Sequence, residues 1–382
     1  MDVLAQARAM AADIAARAPE IEQARRLPAD LARRFAEAGF FRMAVPSDVG
    51  GLEVDPATLL RTIETVGQAD ASAGWCVMIG ATTGVTAAYL APDEARVLYG
   101  DPAAITGGVF APMGRAVAEG DGYRVSGRWQ WASGSANCHW LMGGAVVLED
   151  GKPRLMANGA PDARMMIFPA DQAALIDSWH VSGLSGTGSG EMAVRDILVP
   201  RVRTVSLMTD RPTAAGALYA FPVFGLLALG IAAVMLGNAR AAIDDLVELA
   251  GGKRPQGSRK TLAERPTAQA TLAQAEAALR GARAFFYEAV AQAWDKARGA
   301  GEIAAPERAA LRLAATHAVR SAAQVTRDMY DLGGGSSVFL TSPLQRRFRD
   351  AHVGTQHLMV SPPTLELAGR VLMGLPTDAT QL

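Results

Sequence analysis

The chain has 382 residues, half of them hydrophobic and a fifth charged, and its formal net charge is −1. That composition fits a globular protein long enough for two or three structural units with large cores, and the near-zero charge gives no electrostatic case for binding nucleic acid or an anionic membrane. Two cysteines, Cys76 and Cys138, are too few for a disulfide framework; in apolar surroundings they predict reduced, buried thiols of a cytoplasmic protein. Residues 1–17 carry Asp2 and Asp13 among alanines and lack a signal-peptide core.

In chain order, residues 1–103 read as helical. Leu27-Pro28-Ala29-Asp30 predicts a helix start with Pro near the first turn; Leu31, Phe35 and Ala38 follow at helical spacing, and Gly39 ends the run. Asp55-Pro56 opens a second helix, with Leu59, Leu60, Ile63 and Val66 along one face. Ala69-Asp70-Ala71-Ser72-Ala73-Gly74-Trp75 leads into an apolar helix reaching Leu90, and Pro92-Asp93-Glu94 starts a short one. Residues 104–203 change character, with frequent Gly and Pro and short β-rich runs. The runs 116–119 and 123–126 flank the hairpin signal Gly120-Asp121-Gly122. Residues 140–148, 164–168 and 191–199 are further strands, so the region predicts a small β-barrel or sandwich. Residues 204–382 turn helical again. The apolar run 221–237 reaches the lower length limit of a membrane span, but Gly225, Gly230, Gly237 and its amphipathic continuation predict a buried helix. Alanine dominates 267–297 and 305–329, which predicts long helices that need packing partners, joined by a loop holding Gly299 and Gly301.

The stretch Gly127-Arg128-Trp129-Gln130-Trp131-Ala132-Ser133-Gly134-Ser135 stands out. Its alternation predicts a strand, and its flat aromatic wall beside a hydroxyl suits the edge of a planar cofactor as well as it suits a strand core. Two glycine-rich stretches, Thr106-Gly107-Gly108-Val109-Phe110-Ala111-Pro112 and Gly183-Leu184-Ser185-Gly186-Thr187-Gly188-Ser189-Gly190, offer backbone amides for close approach. No helix follows the second, so it is not a dinucleotide fingerprint. His139, His180 and His317 are scattered, and no histidine pair has metal-ligand spacing, so no metal site is expected. Asp244-Asp245 reads as a solvated helix face.

The Trp129–Gly134 stretch resembles the middle-domain motif G-x-K-x-W-I-T-N-G of the acyl-CoA dehydrogenase superfamily, and its W-x-W-A-S-G form resembles the two-component flavin-dependent monooxygenases of that superfamily, of aromatic or indole hydroxylase type. The Gly-Phe-Phe connection at residues 39–41, the loop Gly183–Ser189 and the turn Tyr330-Asp331-Leu332-Gly333-Gly334-Gly335 match further superfamily motifs. The resemblance covers nearly the whole chain. It implies an α-helical amino-terminal domain (1–103), a middle β-domain (104–203) and a carboxy-terminal four-helix-bundle domain (204–382), assembled as a homotetramer. It places Ser133 near the flavin N5 region, Phe110, Ala111, Trp131, Thr187, Ser189 and Arg349 around the flavin, and Gly333 and Gly334 near a nucleotide part across a subunit interface.

The segment Arg346-Arg347-Phe348-Arg349-Asp350-Ala351-His352-Val353-Gly354-Thr355-Gln356-His357 decides between branches of the superfamily. Many of its dehydrogenases carry a catalytic Glu there; this chain has none before Glu366. Arg349, Asp350 and His357 instead match the monooxygenase pattern, which implies His357 as acid or base. A second active-site histidine of some monooxygenases falls here on Thr83, beside Thr82. The dehydrogenases' R-Q-x-F-G segment is replaced by Glu264-Arg265-Pro266-Thr267-Ala268-Gln269, which argues for a diffusible flavin. The implied activity uses reduced FAD or FMN from a partner flavin reductase and O2 to form a C4a-hydroperoxyflavin and hydroxylate a small aromatic substrate. The alternative is an FAD-containing acyl-CoA dehydrogenase acting on an acyl thioester. The Ala71–Leu90 helix and Phe221 and Phe224 are expected to line a pocket with few charges, suited to a neutral phenol or indole.

Overall fold

A computed structural model of the chain describes residues 1–156, 158–299 and 303–382. The amino-terminal helices are α1 (Val3–Ala16), α2 (Ala18–Ala24), α3 (Ala29–Glu37), α4 (Pro56–Ala69), α5 (Ala71–Thr83) and α6 (Pro92–Tyr99). Their starts follow from local chemistry. Asp55 caps α4 by accepting from the Thr58 amide at 3.0 Å, with Pro56 in the first turn, and Asp70 caps α5 by accepting from the Ala73 amide at 2.8 Å. The expected stop at Gly39 is present, with φ +79°. The apolar helix expected to reach Leu90 ends as an α-helix at Thr83 and continues as a 3₁₀ turn, Gly84–Tyr89.

The middle region is one sheet. Its strands are β1 (Thr106–Glu119), β2 (Gly122–Trp129), β3 (Trp140–Glu149), β4 (Lys152–Pro153), β5 (Ala163–Pro169), β6 (Ala174–Ile176), β7 (Glu191–Pro200) and β8 (Thr204–Val205). The order is β6-β7-β2-β1-β3-β5-β8, with β4 on the edge of β3. β1 and β2 form the expected hairpin around Gly120 and Asp121, and β1 runs parallel to β3. Residues 106–113, which begin as one of the glycine-rich stretches, belong to β1. The pairing slips there: between Val109 and Gly114 the register against β3 shifts, and Phe110 to Met113 bulge outward opposite Gly144. A bulge of this kind leaves backbone groups outside the ladder.

The carboxy-terminal helices are α7 (Ala217–Ala220), α8 (Val223–Gly252), α9 (Pro266–Arg298), α10 (Ala305–Gly333), α11 (Pro343–Gly354) and α12 (Pro363–Leu372). α8 is the buried helix expected from its glycines: 89% of its most apolar window is buried. Gly67 on α4 and Gly237 on α8 remove side chains where the two helices cross, since a Cβ on Gly237 would meet the Glu64 carbonyl at 2.2 Å. The amino- and carboxy-terminal helices therefore share one hydrophobic core, which runs from Val3 to Val360, while the sheet encloses its own around Trp129. Asp245, expected on a solvated face, instead pairs with the buried Arg347 at 3.2 Å. Gly299 ends α9; Gly301 lies outside the described residues. Cys76 and Cys138 are free thiols, and burial pushes the Cys138 thiol up to about 12.

Candidate active site

The two tryptophans of the Gly127–Ser135 stretch do different jobs. Trp129 is the last residue of β2 and fully buried; its Nε1 donates to the Gly144 carbonyl at 2.7 Å. Its indole lies on glycines from three strands, Gly114, Gly127 and Gly143, each of which would bring a Cβ within about 2.5 Å of the ring. Trp131 does not continue the alternation. It leaves the strand with φ +65°, a conformation that costs a non-glycine residue energy, and its side chain is 57% exposed. Trp129 is thus core and Trp131 is an aromatic face held out of the core. Phe110, on the β1 bulge, is also exposed, and its ring meets Phe224 edge-on at 5.1 Å between centroids. Ala111 lies beside it on the same bulge.

Ser133 is buried and sits at the head of a hydrogen-bonded chain. Trp75 Nε1 donates to its Oγ at 3.2 Å, its Oγ meets Ser189 Oγ at 2.6 Å, Ser189 Oγ meets Thr187 Oγ1 at 2.6 Å, and Thr187 Oγ1 donates to the Leu184 carbonyl at 2.8 Å. Each hydroxyl has one proton. Thr187 gives its proton to Leu184, so Ser189 must donate to Thr187, and Ser133 must donate to Ser189. The direction of every bond is fixed from the indole N–H to the carbonyl. Ser133 is left with one free lone pair and no free proton, so it can only accept from a further group. Thr187 and Ser189, expected near the flavin, follow Ser133 in this chain. The strand and the glycine-rich loop are held together by backbone bonds from Ala132 N to Gly190 O at 2.9 Å and from Gly134 N to Thr187 O at 2.8 Å.

Trp75 also touches His357, with ring centroids 5.8 Å apart. The two residues expected to carry chemistry, Ser133 and His357, therefore both lie beside one indole. His357 Nδ1 accepts from the Met359 amide at 3.2 Å, so the neutral ring carries its proton on Nε2. Burial, followed by the nearby Arg312 guanidinium, pushes its pKa down to about 4. Arg312 is itself buried; it donates to the Met359 and Gln381 carbonyls, and its Nε has no partner among the described residues. Neither Trp75 nor Arg312 was singled out by sequence pattern as a functional residue. The Gly74-Trp75 pair opening an apolar helix is the signal that marks Trp75.

Other expected site residues have different roles. Thr82 Oγ1 bonds back to the Met78 carbonyl at 2.7 Å, and Thr83 Oγ1 bonds to the Ile79 carbonyl at 3.0 Å and to Thr106 Oγ1 at 2.8 Å. Thr82 bonds within α5 and Thr83 also ties α5 to β1 through Thr106; a threonine hydroxyl cannot act as a base in a histidine's place. Arg349 has a protein partner at each nitrogen: Gln345 at 2.6 Å, and the Ser182 carbonyl and Glu22 as well. It straps α2, α11 and the start of the glycine-rich loop together. Asp350 accepts from the Leu184 amide at 2.6 Å, and burial, then the charge of Asp70, raises its pKa to about 7. Gly333 and Gly334 lie at the end of α10, held by Lys253, which donates to the Gly333 carbonyl and to Ser336 Oγ. Within one protomer this turn is not joined to the Ser133 group.

Phe221 and Phe224 are buried and line a cavity of about 470 Å³ at the start of α8. One charged side chain among the described residues, Arg308, lines it. Among the described residues no group of His, Cys, Asp and Glu could hold a metal ion. The donor set suits a reduced flavin. The exposed Trp131 and Phe110 offer aromatic faces, the β1 bulge offers backbone groups, and Ser133 offers one acceptor to an N–H edge.

A helical, sheet and helical chain with a hydroxyl relay beside a half-buried histidine suits a flavin oxidoreductase. The models of the acyl-CoA dehydrogenase amino-terminal and carboxy-terminal domains match residues 2–96 and 229–362. Indole-3-acetate monooxygenase of Pseudomonas putida is 34% identical over 94% of this chain and 90% of its own length. The oxygenase component of an FADH2-dependent resorcinol hydroxylase from a Rhizobium species is 29% identical over 94% and 90%. The crystal structure of the HsaA monooxygenase from Mycobacterium tuberculosis superposes with a TM-score of 0.90 at 29% identity, covering 100% of this chain and 99% of that one. The chain belongs to the flavin-dependent monooxygenases of the acyl-CoA dehydrogenase superfamily, and its cofactor is a reduced flavin. The dehydrogenase alternative is disfavoured on the same grounds, and Glu366, the nearest carboxylate after the active-site segment, lies exposed on α12.

Proposed function

We propose that this chain is the oxygenase half of a two-component pair, taking reduced FAD or FMN from a separate flavin reductase and inserting one oxygen atom from O2 into a small aromatic or heteroaromatic substrate of the phenol or indole class. The observation that carries the assignment of roles is the one-way chain Trp75–Ser133–Ser189–Thr187 beside a neutral, half-buried His357. The reduced flavin, when bound, supplies the electrons that activate dioxygen. Ser133 accepts a hydrogen bond from the flavin's N–H edge and holds that proton in place, because its own proton is committed to Ser189. Trp131 and Phe110 provide the aromatic faces, and the bulge at Phe110 and Ala111 provides backbone contacts. His357 donates through Nε2 to the oxygen atom that is polarised or released. Its low basicity suits it to hydrogen-bond donation more than to proton abstraction from a ground-state phenol.

The exposed run Val338, Phe339 and Leu340 directly follows the Gly333–Gly334 turn and is 59%, 64% and 82% exposed. Its exposure supports a homotetramer in which this corner packs on a neighbour and brings the glycine turn toward the neighbour's flavin. Localisation in the cytoplasm fits the two free thiols.

The test of the reading is product analysis under isotope-labelled dioxygen. The purified chain, a flavin reductase and a panel of phenols and indoles should yield a hydroxylated product carrying label. Reduction of bound flavin by an acyl thioester, with no labelled product from any aromatic, would overturn it.

A further inference from the structure

The cavity at the start of α8 is suited to more than a neutral ring. Tyr89, Tyr219, Phe221 and Phe224 line it, and no carboxylate does among the described residues. Among the described residues Arg308 is the only charged side chain on its wall. Arg308 Nε donates to the Ile303 carbonyl at 2.9 Å, and its two Nη groups have no protein partner among the described residues. Ala304 and Ala305, where the 29-residue helix α10 begins, share the wall, so the positive end of a helix dipole adds to the guanidinium. A planar fork of N–H donors beside aromatic rings matches an aromatic acid, which offers a ring to the rings and two coplanar oxygens to the fork. The volume, about 470 Å³, lies within the ~300–1,000 Å³ of ordinary ligand pockets.

The cavity also adjoins the chemistry. Phe224 on its wall packs edge-on against Phe110 on the flavin side, at 5.1 Å. Arg308 lies one turn along α10 from Arg312, whose charge acts on His357.

We propose that this cavity is the substrate pocket and that Arg308 anchors the carboxylate of a one- or two-ring aromatic acid, so that the ring points toward Phe110 and the reacting centre. The proposal rests on the oxygenase reading and narrows its substrate class from neutral aromatics to aromatic acids. Arg308 is then a specificity-determining residue. It binds the arm of the substrate that does not react, so its loss raises KM more than it lowers kcat.

The experiment is calorimetric titration of the full-length protein, with oxidised FAD and without it, using indole-3-acetate and its neutral isostere indole-3-acetamide. No reductant is present. The acid should bind at least tenfold more tightly than the amide. Arg308→Gln should remove that preference and leave amide affinity within about twofold of the parent, which also reports that the variant is folded. Arg308→Lys should retain part of the preference. Equal affinity for acid and amide in the parent, no binding of either, or a preference that survives Arg308→Gln would overturn the proposal. Since binding is read without turnover, the outcome is separable from the oxygenase reading. Labelled product from a neutral indole with acid and amide bound alike would sink the Arg308 anchor alone, while acid preference without any labelled product would sink the oxygenase reading alone.

Discussion

His357 carries two features that pull its chemistry in one direction. The Met359 amide holds Nδ1 as acceptor, and burial with Arg312 keeps the ring neutral with a pKa near 4. A hydrogen bond donated through Nε2 is what remains. The side-chain amide of glutamine places an N–H close to that position, so His357→Gln should keep a measurable part of kcat, while His357→Ala should lose about 10²–10⁴-fold. Equal loss in both, measured by steady-state product formation, would indicate a base rather than a donor. Ser133 is governed by its relay. Ser189→Ala takes away the acceptor of the Ser133 proton, freeing that hydroxyl to turn. The loss of a hydrogen bond worth ~0.5–1.5 kcal/mol should appear as more peroxide released per reduced flavin consumed, with flavin affinity within a few-fold of the parent. Unchanged coupling in Ser189→Ala would show that the relay carries no role.

The elements were legible in the sequence to different degrees. Caps such as Asp55 and Asp70, the Gly120-Asp121 hairpin and the strands near 140, 164 and 191 are local signals, and the structure keeps all of them. β1 was the failure: its glycines and Pro112 hid a 14-residue strand because the bulge at 110–113 breaks the alternation that marks strands. Trp131 misled for a similar reason, since a positive φ cannot be read from alternation. The Ser133 and His357 positions came from motif, but the indole between them did not, because residues 75, 133 and 357 meet only in the fold. Arg349 was placed near the flavin by the family resemblance alone; in the fold its guanidinium bonds to Glu22 on α2 and to the Ser182 carbonyl beside the glycine-rich loop, contacts that no local pattern announces. That loop is seated by contact: a Cβ on Gly183 would fall 2.5 Å from the Arg349 carbonyl. Gly183→Ala should therefore destabilise the protein by about 1–3 kcal/mol, read as a lower urea midpoint with an unchanged slope. A midpoint equal to that of the parent would mean that the loop is not seated this way.

At the scale of the molecule, the buried Asp350 and the half-buried His357 give stability opposite dependences on pH. Folding raises the Asp350 pKa to about 7, so its contribution is complete below the unfolded value of ~4 and is lost as pH rises toward 7. Folding lowers the His357 pKa to about 4, so its contribution is complete above the unfolded value of ~6.5 and is lost as pH falls toward 4. Asp350→Asn keeps an acceptor for Leu184 and removes the first dependence. The difference in Tm between variant and parent should grow from pH 4 to pH 7; a difference independent of pH would place Asp350 as an ordinary ionised carboxylate. Assembly is tested on the same scale. If the proposed tetramer forms through this corner, charge at Phe339 or Leu340 should convert it into smaller species by light scattering while each protomer keeps its helical content, and an unchanged mass would exclude this corner from the interface.

The central claim is that reduced flavin on this protein delivers an oxygen atom to an aromatic ring. Rapid mixing of the full-length protein and chemically reduced FAD with oxygenated buffer, followed by flavin absorbance, tests it most directly. The account predicts a species distinct from both reduced and oxidised flavin, longer-lived than in free solution and shortened by Ser133→Ala. Immediate return to oxidised flavin with full release of peroxide, together with bleaching of bound FAD by an acyl-CoA, would contradict it.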